Sequence, residues 1–197
     1  MKLTMERFLQ GMTPLQYTSQ MHEYRDAFLR VLSSIEIHTD EQASFNALPQ
    51  RMKVAVFTED WCGDSLNCTP VLFRLAEETD KLQVRIFLRD QTQELANSFL
   101  APERWGTIPL FVFLTSDMDE VGYFIETAPS LYRAKSEMTD TILQAHPDLP
   151  DIALPSPKMS EGTRKIIERE TIDYRVAHAN DWGRAILACI RDAVVPS

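Results

Sequence analysis

The sequence predicts an α/β fold, with a mixed central sheet flanked by helices and with helical extensions at both ends of the chain. Runs of β-forming residues at 54–57, 82–88 and 109–114 are separated by segments with helical apolar spacing. The third run is followed, across a polar turn, by a fourth at 121–125. Interposed helices imply parallel crossovers, whereas the last two runs form an antiparallel hairpin, so we expect both kinds of strand pairing in one sheet.

Composition limits the size class and the partners. The 197 residues, 44% hydrophobic and 25% charged, suffice for one packed unit with additions. A net charge of -9 disfavours nucleic acid and anionic membrane surfaces as partners. The sequence shows no apolar core of a signal peptide and no apolar run of roughly 18 residues that could span a bilayer. We therefore expect a cytoplasmic protein that binds neither nucleic acid nor membrane.

The first element predicted is one long amphipathic helix. Thr13 is suited to cap it, Pro14 to occupy its first position, and Gln16 to complete a capping box. Apolar residues then recur at steps of three or four, at Tyr17, Met21, Tyr24, Phe28, Val31, Leu32 and Ile35. Such a stripe predicts a helix packed on its own domain, with a dimer interface as the alternative.

The chain divides into three predicted parts. Residues 1–38 form an amino-terminal helical extension, and residues 39–145 form the central domain, which begins with a short helix at 39–48. Residues 146–197 contain a proline-rich connector, expected to be extended, and carboxyl-terminal helices packed on the same domain. Further helices are predicted at 129–146, 160–175 and 180–194, the last of them capped by Asn180.

The stretch EDWCGDSLNCTP at 59–70 carries the candidate chemistry. Cys62 follows a predicted strand and begins a predicted helix, whose amino-terminal amides and dipole favour a thiolate. Ser65, three residues on, is placed to donate its hydroxyl to the sulfur. Glu59, Asp60 and Asp64 act in the opposite sense, because nearby carboxylates disfavour a second negative charge. We predict a working thiol at Cys62, with an inactive remnant in a binding module as the alternative.

Two motifs in order carry a resemblance to a known family. Trp61-Cys62-Gly63 stands between a strand and a helix that contains Pro70, and GTIP at 106–109 directly precedes a strand. Over about residues 53–125 this pattern resembles the thioredoxin fold. The resemblance implies that Pro109 is cis and lies beside the cysteine.

The resemblance also implies a substrate groove and a narrower group. In the thioredoxin fold the residue before the cis-proline, here Ile108, pairs through its backbone with a bound peptide. The loop with Asn67 and Pro70, followed by LRDQ at 88–91, resembles a bacterial group of thioredoxin-like proteins with one motif cysteine and a long amino-terminal helix. The implied substrate-binding residues are Trp61, Gly63, Asp64, Thr107, Ile108 and Pro109.

The departures from a thioredoxin are equally informative. Asp64 and Ser65 stand where a thioredoxin has a proline and its second cysteine, so dithiol exchange is excluded. Val56 stands where a thioredoxin buries an aspartate. Cys68 lies six residues after Cys62, roughly 10 Å away on another helix face, whereas a disulfide needs less than about 7 Å between Cα atoms. Pairing would require the helix to unwind.

The remaining residues have simpler interpretations. Cys68 and Cys189 are expected to be small buried side chains. Asp64 is expected to stabilise the first turn of its helix through the helix dipole. Arg89 and Asp90 are expected to form an ion pair. The histidines are scattered and no zinc spacing is present, so we predict no metal and no cofactor.

Three functions remain from sequence. The first is a monothiol oxidoreductase in which Ser65 cannot resolve a mixed disulfide on Cys62, so that its partners are protein or small-molecule disulfides and thiols. The second is a non-catalytic module that binds a partner in the groove at Ile108-Pro109. The third is a monothiol glutaredoxin with an iron–sulfur cluster, which the sequence disfavours because Asp64 replaces the usual Phe and no basic residue flanks the loop.

Overall fold

The β-forming runs make a single four-stranded sheet. The computed structural model, which describes residues 3–149 and 151–194, has strands β1 (Met52–Thr58), β2 (Leu82–Leu88), β3 (Leu110–Leu114) and β4 (Glu120–Ile125). They lie in the order β2-β1-β3-β4. Strand β1 is parallel to β2 and antiparallel to β3, and β3 is antiparallel to β4. The predicted mixed sheet is confirmed, but the expected parallel crossover from β2 to β3 is wrong, because β3 runs antiparallel to β1 and therefore to β2.

Helices cover both faces of this sheet. They are α1 (Met5–Leu9), α2 (Pro14–Gln20), α3 (Arg25–Ser34), α4 (Thr39–Asn46), α5 (Gly63–Glu78), α6 (Gln93–Asn97), α7 (Tyr132–Ala145), α8 (Glu161–Ala177) and α9 (Ala179–Val194). Within the described ranges, no helix combines the length and apolar character that crossing a membrane would require.

The side chains of the central strand β1 point alternately to the two faces of the sheet, where they contribute to two separate hydrophobic cores. Val54 and Val56 belong to the larger cluster, together with apolar residues of α3, α5 and α9. Ala55 and Phe57 belong to the smaller cluster, together with residues of α1 and α6. Because β1 is buried on both faces, its carboxyl end is a rigid support for the loop that follows it, at 59–62.

The prediction of one long amino-terminal helix is wrong, because the chain breaks between α2 and α3. Tyr24 adopts a left-handed backbone, with φ of 46°. The freed amides of His22 and Glu23 donate to Oδ2 of Asp60, at 2.8 and 3.2 Å. A carboxylate from the cysteine loop thus satisfies the backbone groups that the break releases.

The apolar stripe still packs into the chain's own core, as expected. Tyr17 and Phe28 are buried and form edge-to-face pairs with each other and with Phe73 of α5, with ring centroids 5.7–6.1 Å apart. Val31 and Ile35 belong to the same cluster. This packing accounts for the stripe without a second chain.

Two predictions about the carboxyl-terminal region are wrong. Asn180 lies inside α9 and does not cap it; its Oδ1 accepts from the amide of Glu36, at 3.2 Å. The connector is not extended but turns repeatedly, with backbone bonds from Leu154 to Asp151 and from Lys158 to Pro155. Pro150 of this connector and residues 195–197 of the predicted third part lie outside the described residues. The domain division at 38 and 145 stays a prediction.

Candidate active site

Cys62 lies at the junction between the sheet and α5. It is the residue that precedes α5, with extended backbone angles and a half-buried side chain. No side chain caps the first amides of this helix. The start of α5 therefore carries unpaired amides and the positive end of the helix dipole, and both stabilise a negative charge placed next to them.

The segment Ile108-Pro109 lies beside this cysteine, as the resemblance implied. The peptide bond between Ile108 and Pro109 is cis, so that prediction is confirmed. Cys62 Sγ donates to the carbonyl oxygen of Ile108 at 3.7 Å. The next carbonyl, of Pro109, accepts from the amide of Glu126 at 2.7 Å, which ties the segment to the end of β4. The Cys62 thiol thus adjoins the backbone of Ile108, although Ile108 and Pro109 are themselves buried.

Ser65 makes no hydrogen bond to the sulfur. Its side chain is only 1% exposed, and its Oγ has no hydrogen-bond partner in the described structure. The expected bond from Ser65 to Cys62 is therefore not made, because the hydroxyl lies on the buried side of the first turn of α5. A direct role for this hydroxyl has no support from the geometry.

Asp64 joins α5 to two later helices. Lys135 of α7 approaches its carboxylate at 2.8 Å, and both terminal nitrogens of Arg175 of α8 lie 3.3 Å from its Oδ1. Arg175 Nη1 also donates to the carbonyl of Gly63 and to Oδ1 of Asn67, both at 2.9 Å. The expected stabilising role of Asp64 thus has a specific basis in cross-helix ion pairs.

On the other side of the cysteine, Glu59 supports the turn that follows β2. Glu59 is 6% exposed, and its Oε1 accepts from the amide of Asp90 at 2.7 Å. Burial raises the pKa of the Glu59 carboxyl. The expected ion pair between Arg89 and Asp90 is present, at 2.7 Å.

Two exposed tryptophans and a half-buried arginine lie near the cysteine loop. The side chains of Trp61 and Trp105 are 45% and 60% exposed. The guanidinium of Arg89 lies 5.7 Å from the ring centroid of Trp61 and donates to the carbonyl of Gly106 at 2.7 Å. Arg89 thus links the Trp61 loop to the segment that leads into Thr107, Ile108 and Pro109. We call Trp61, Arg89 and Trp105 the aromatic rim.

The other two thiols have different surroundings. Cys68 is fully buried, and its Sγ donates to the carbonyl of Glu126 at 3.5 Å. Burial raises the pKa of the Cys68 thiol well above its usual value. Cys189 is half-buried beside a cavity of about 390 Å³ that Tyr123 and Tyr132 also line, and burial raises the pKa of its thiol as well. All three cysteines are free.

Comparison with known proteins decides the family. A family model described as thioredoxin matches residues 11–139, well over half of the chain. The chain belongs to the thioredoxin family. No curated protein matches it.

Solved structures support the same fold for this thioredoxin-family chain. A crystal structure of a protein of unknown function from Pseudomonas aeruginosa matches with a TM-score of 0.62 and 16% identity, covering 95% of this chain and 96% of that one. An HIV epitope scaffold matches with a TM-score of 0.59 and 17% identity, over 95% and 96% of the two chains. At such identities the likeness shows the fold alone.

Lys135 and Arg175 of this thioredoxin-family site are what sequence reasoning missed. No basic residue flanks the loop in sequence, yet the fold brings these two cations to it, in addition to the expected Arg89. One signal for Arg175 was available, because it lies three residues after Ile172 on the inward face of α8. A charged residue at an apolar position of a helix indicates a buried partner. In residues 3–149 and 151–194, no cluster of His, Cys, Asp and Glu could hold a metal ion.

Proposed function

We propose that this thioredoxin-family protein is a monothiol thiol–disulfide oxidoreductase that acts through Cys62. The observation that carries the proposal is the position of Cys62, half-exposed at the uncapped amino end of α5 with its Sγ 3.7 Å from the Ile108 carbonyl. Cys68 is fully buried, and burial raises the pKa of the Cys68 and Cys189 thiols, so both are weaker candidates for the reacting thiol.

The chemistry needs one protein thiol and one external thiol. The Cys62 thiolate attacks one sulfur of a disulfide, forming a mixed disulfide and releasing the other sulfur as a thiolate. An external thiolate then attacks the mixed disulfide, takes the substrate sulfur into a new disulfide and releases Cys62 as a thiolate. Ser65 cannot perform this second attack, because a buried hydroxyl is no substitute for a thiolate. We place the reaction in the cytoplasm, where glutathione supplies such thiols.

The residues around Cys62 divide into two roles. Trp61 is exposed and Thr107 half-buried, which leaves both accessible to a docked substrate. The backbone of Ile108, before Pro109, faces the sulfur and would adjoin the reacting disulfide. Gly63 and Asp64 are engaged by Arg175, so we assign them to holding the loop and not to direct substrate contact.

A non-catalytic binding module is the second candidate, and the aromatic rim favours it. Exposed tryptophans beside an arginine are typical of protein-binding surfaces. In such a module the rim and the groove at Ile108-Pro109 would hold a partner whether or not Cys62 carries a thiol.

Glutathione disulfide separates the two functions. With excess reagent at neutral pH, we expect intact-mass spectra of the native protein to show one glutathione adduct, and peptide mapping to place it on Cys62. Cys62→Ser should form no adduct on the same timescale, whereas Cys189→Ser, a matched change at a half-buried thiol, should react as the wild type does. A native wild-type chain that stays unmodified would favour the binding module.

A further inference from the structure

The two buried charged side chains of the described structure both border the cysteine loop. Glu59 stands three residues before Cys62, and Arg175, 7% exposed, packs against the residues just after it. A buried charge is expensive unless it is paired and hydrogen-bonded. The placement of Arg175 therefore requires an explanation in terms of what it holds.

Arg175 binds the first turn of α5 at three points. Its guanidinium reaches the Gly63 carbonyl, the Asp64 carboxylate and the Asn67 side-chain oxygen. The Asn67 amide returns a bond to the backbone carbonyl of Arg175, at 3.3 Å. A planar guanidinium with several donors makes such a fork, which a lysine cannot reproduce. The first turn of α5 is thus fixed to α8.

Gly63 leaves room for this contact. A Cβ added at Gly63 would lie 3.3 Å from the Cζ and Nε atoms of Arg175. Those distances are tighter than ordinary van der Waals contact, so a side chain there would require the guanidinium to shift by a few tenths of an ångström. The absence of a side chain at Gly63, directly after the cysteine, therefore leaves the space that the guanidinium of the buried Arg175 occupies.

The charges around Cys62 come from several elements. Those next to the loop are Glu59, Asp60, Asp64, Arg89, Asp90, Lys135 and Arg175, with the buried Tyr17 and Cys68 as neutral titratable neighbours. Asp64 stands two residues from the sulfur and alone would oppose a thiolate. Lys135 and Arg175 both contact Asp64 and offset its charge.

We propose that Arg175 is a positioning residue for Cys62. It fixes the first turn of α5 directly after the cysteine, and its positive charge offsets that of Asp64, which would otherwise oppose negative charge on the sulfur. This inference rests on the proposed function, and it makes helix α8, beyond the proline-rich connector, part of the reacting site.

The test is the pH dependence of Cys62 alkylation by iodoacetamide, followed on the Cys62 peptide by mass spectrometry in the intact full-length protein. We expect Arg175→Gln to move the midpoint of the rate profile up by about one pH unit, and Asp64→Asn to move it down by a similar amount. Arg169→Gln, the same change at an exposed position of α8, should leave the midpoint in place. Midpoint shifts of opposite sign in Arg175→Gln and Asp64→Asn would indicate an effect of charge, because disorder of the loop does not depend on the sign of the charge removed.

The remaining outcomes also decide the question. Folded Arg175→Gln with an unchanged midpoint, or shifts of the same sign in both variants, overturns the proposal. If Arg175→Gln does not fold, Asp64→Asn decides alone, and an unchanged midpoint there overturns it. Alkylation needs no disulfide exchange, so a wild type that is inert to glutathione disulfide but shows the opposite shifts would refute the proposed function and leave the role of Arg175 standing.

Discussion

A chain that begins at residue 37 is expected not to fold. The deletion removes α1, α2 and α3, and with them a set of buried side chains on both faces of the sheet, which includes Phe8, Tyr17, Phe28, Val31 and Ile35. Removing one large buried aromatic side chain costs about 3–5 kcal/mol, whereas a whole domain is stable by only about 5–15 kcal/mol. The lost packing therefore exceeds the stability available. Circular dichroism and a thermal melt of the truncated chain measure this.

Point variants test the same packing in the full-length chain. Tyr17→Ala should lower the free energy of unfolding by about 3–5 kcal/mol, because it leaves a cavity between Phe28 and Phe73. Tyr17→Phe keeps the ring and is the control, with a much smaller loss. A truncated monomer with the melting temperature of the intact chain would show that the extension is not part of the core.

Ser65→Cys is expected to turn the monothiol site into a dithiol. Residues three apart in a helix have Cα atoms about 5 Å apart, within the range of a disulfide. The new thiol can attack a mixed disulfide on Cys62 without an external partner. Because such an attack is intramolecular, we expect the lifetime of the glutathione adduct to fall on the order of 100-fold or more. Intact-mass measurements after removal of excess reagent follow the loss of the adduct.

Ser65→Ala is the control for this change. It removes a buried hydroxyl that has no partner, so the adduct should be as long-lived as in the wild type, and the unfolding free energy should change little or rise. If the adduct on Ser65→Cys persists as it does on Ser65→Ala, the first turn of α5 does not bring the two positions together as described.

Local sequence signals gave most of the fold. Strand β2 and the start of α2 at Pro14 follow from short runs of β-formers and from a capping box, both of which act within a few residues. The break at Tyr24 was not predictable in the same way. The amides that the break releases, of His22 and Glu23, depend on Asp60, which lies 38 and 37 residues further along the chain. Helical apolar spacing, in contrast, continues through the break.

In the candidate site, too, the features carried by local motifs were predictable and those set by distant residues were not. The neighbourhood of Cys62 and Pro109 follows from the resemblance to the thioredoxin family, since both motifs are readable in order. The partners of Asp64 could not be predicted in this way, because Lys135 and Arg175 reach it from helices far along the chain. The expected bond from Ser65 to the sulfur failed for a related reason, since spacing gives nearness of Cα atoms but not which side chain is buried.

The order in which the three thiols react tests the central claim most directly. The native protein is treated with limiting iodoacetamide at neutral pH, and the three cysteine peptides are quantified over time. The structure predicts that Cys62 is labelled well ahead of Cys189 and Cys68, and that an oxidised sample contains no Cys62–Cys68 disulfide. Labelling of Cys68 first, or a Cys62–Cys68 disulfide in quantity after mild oxidation, would show that α5 unwinds and that the one-thiol mechanism is wrong.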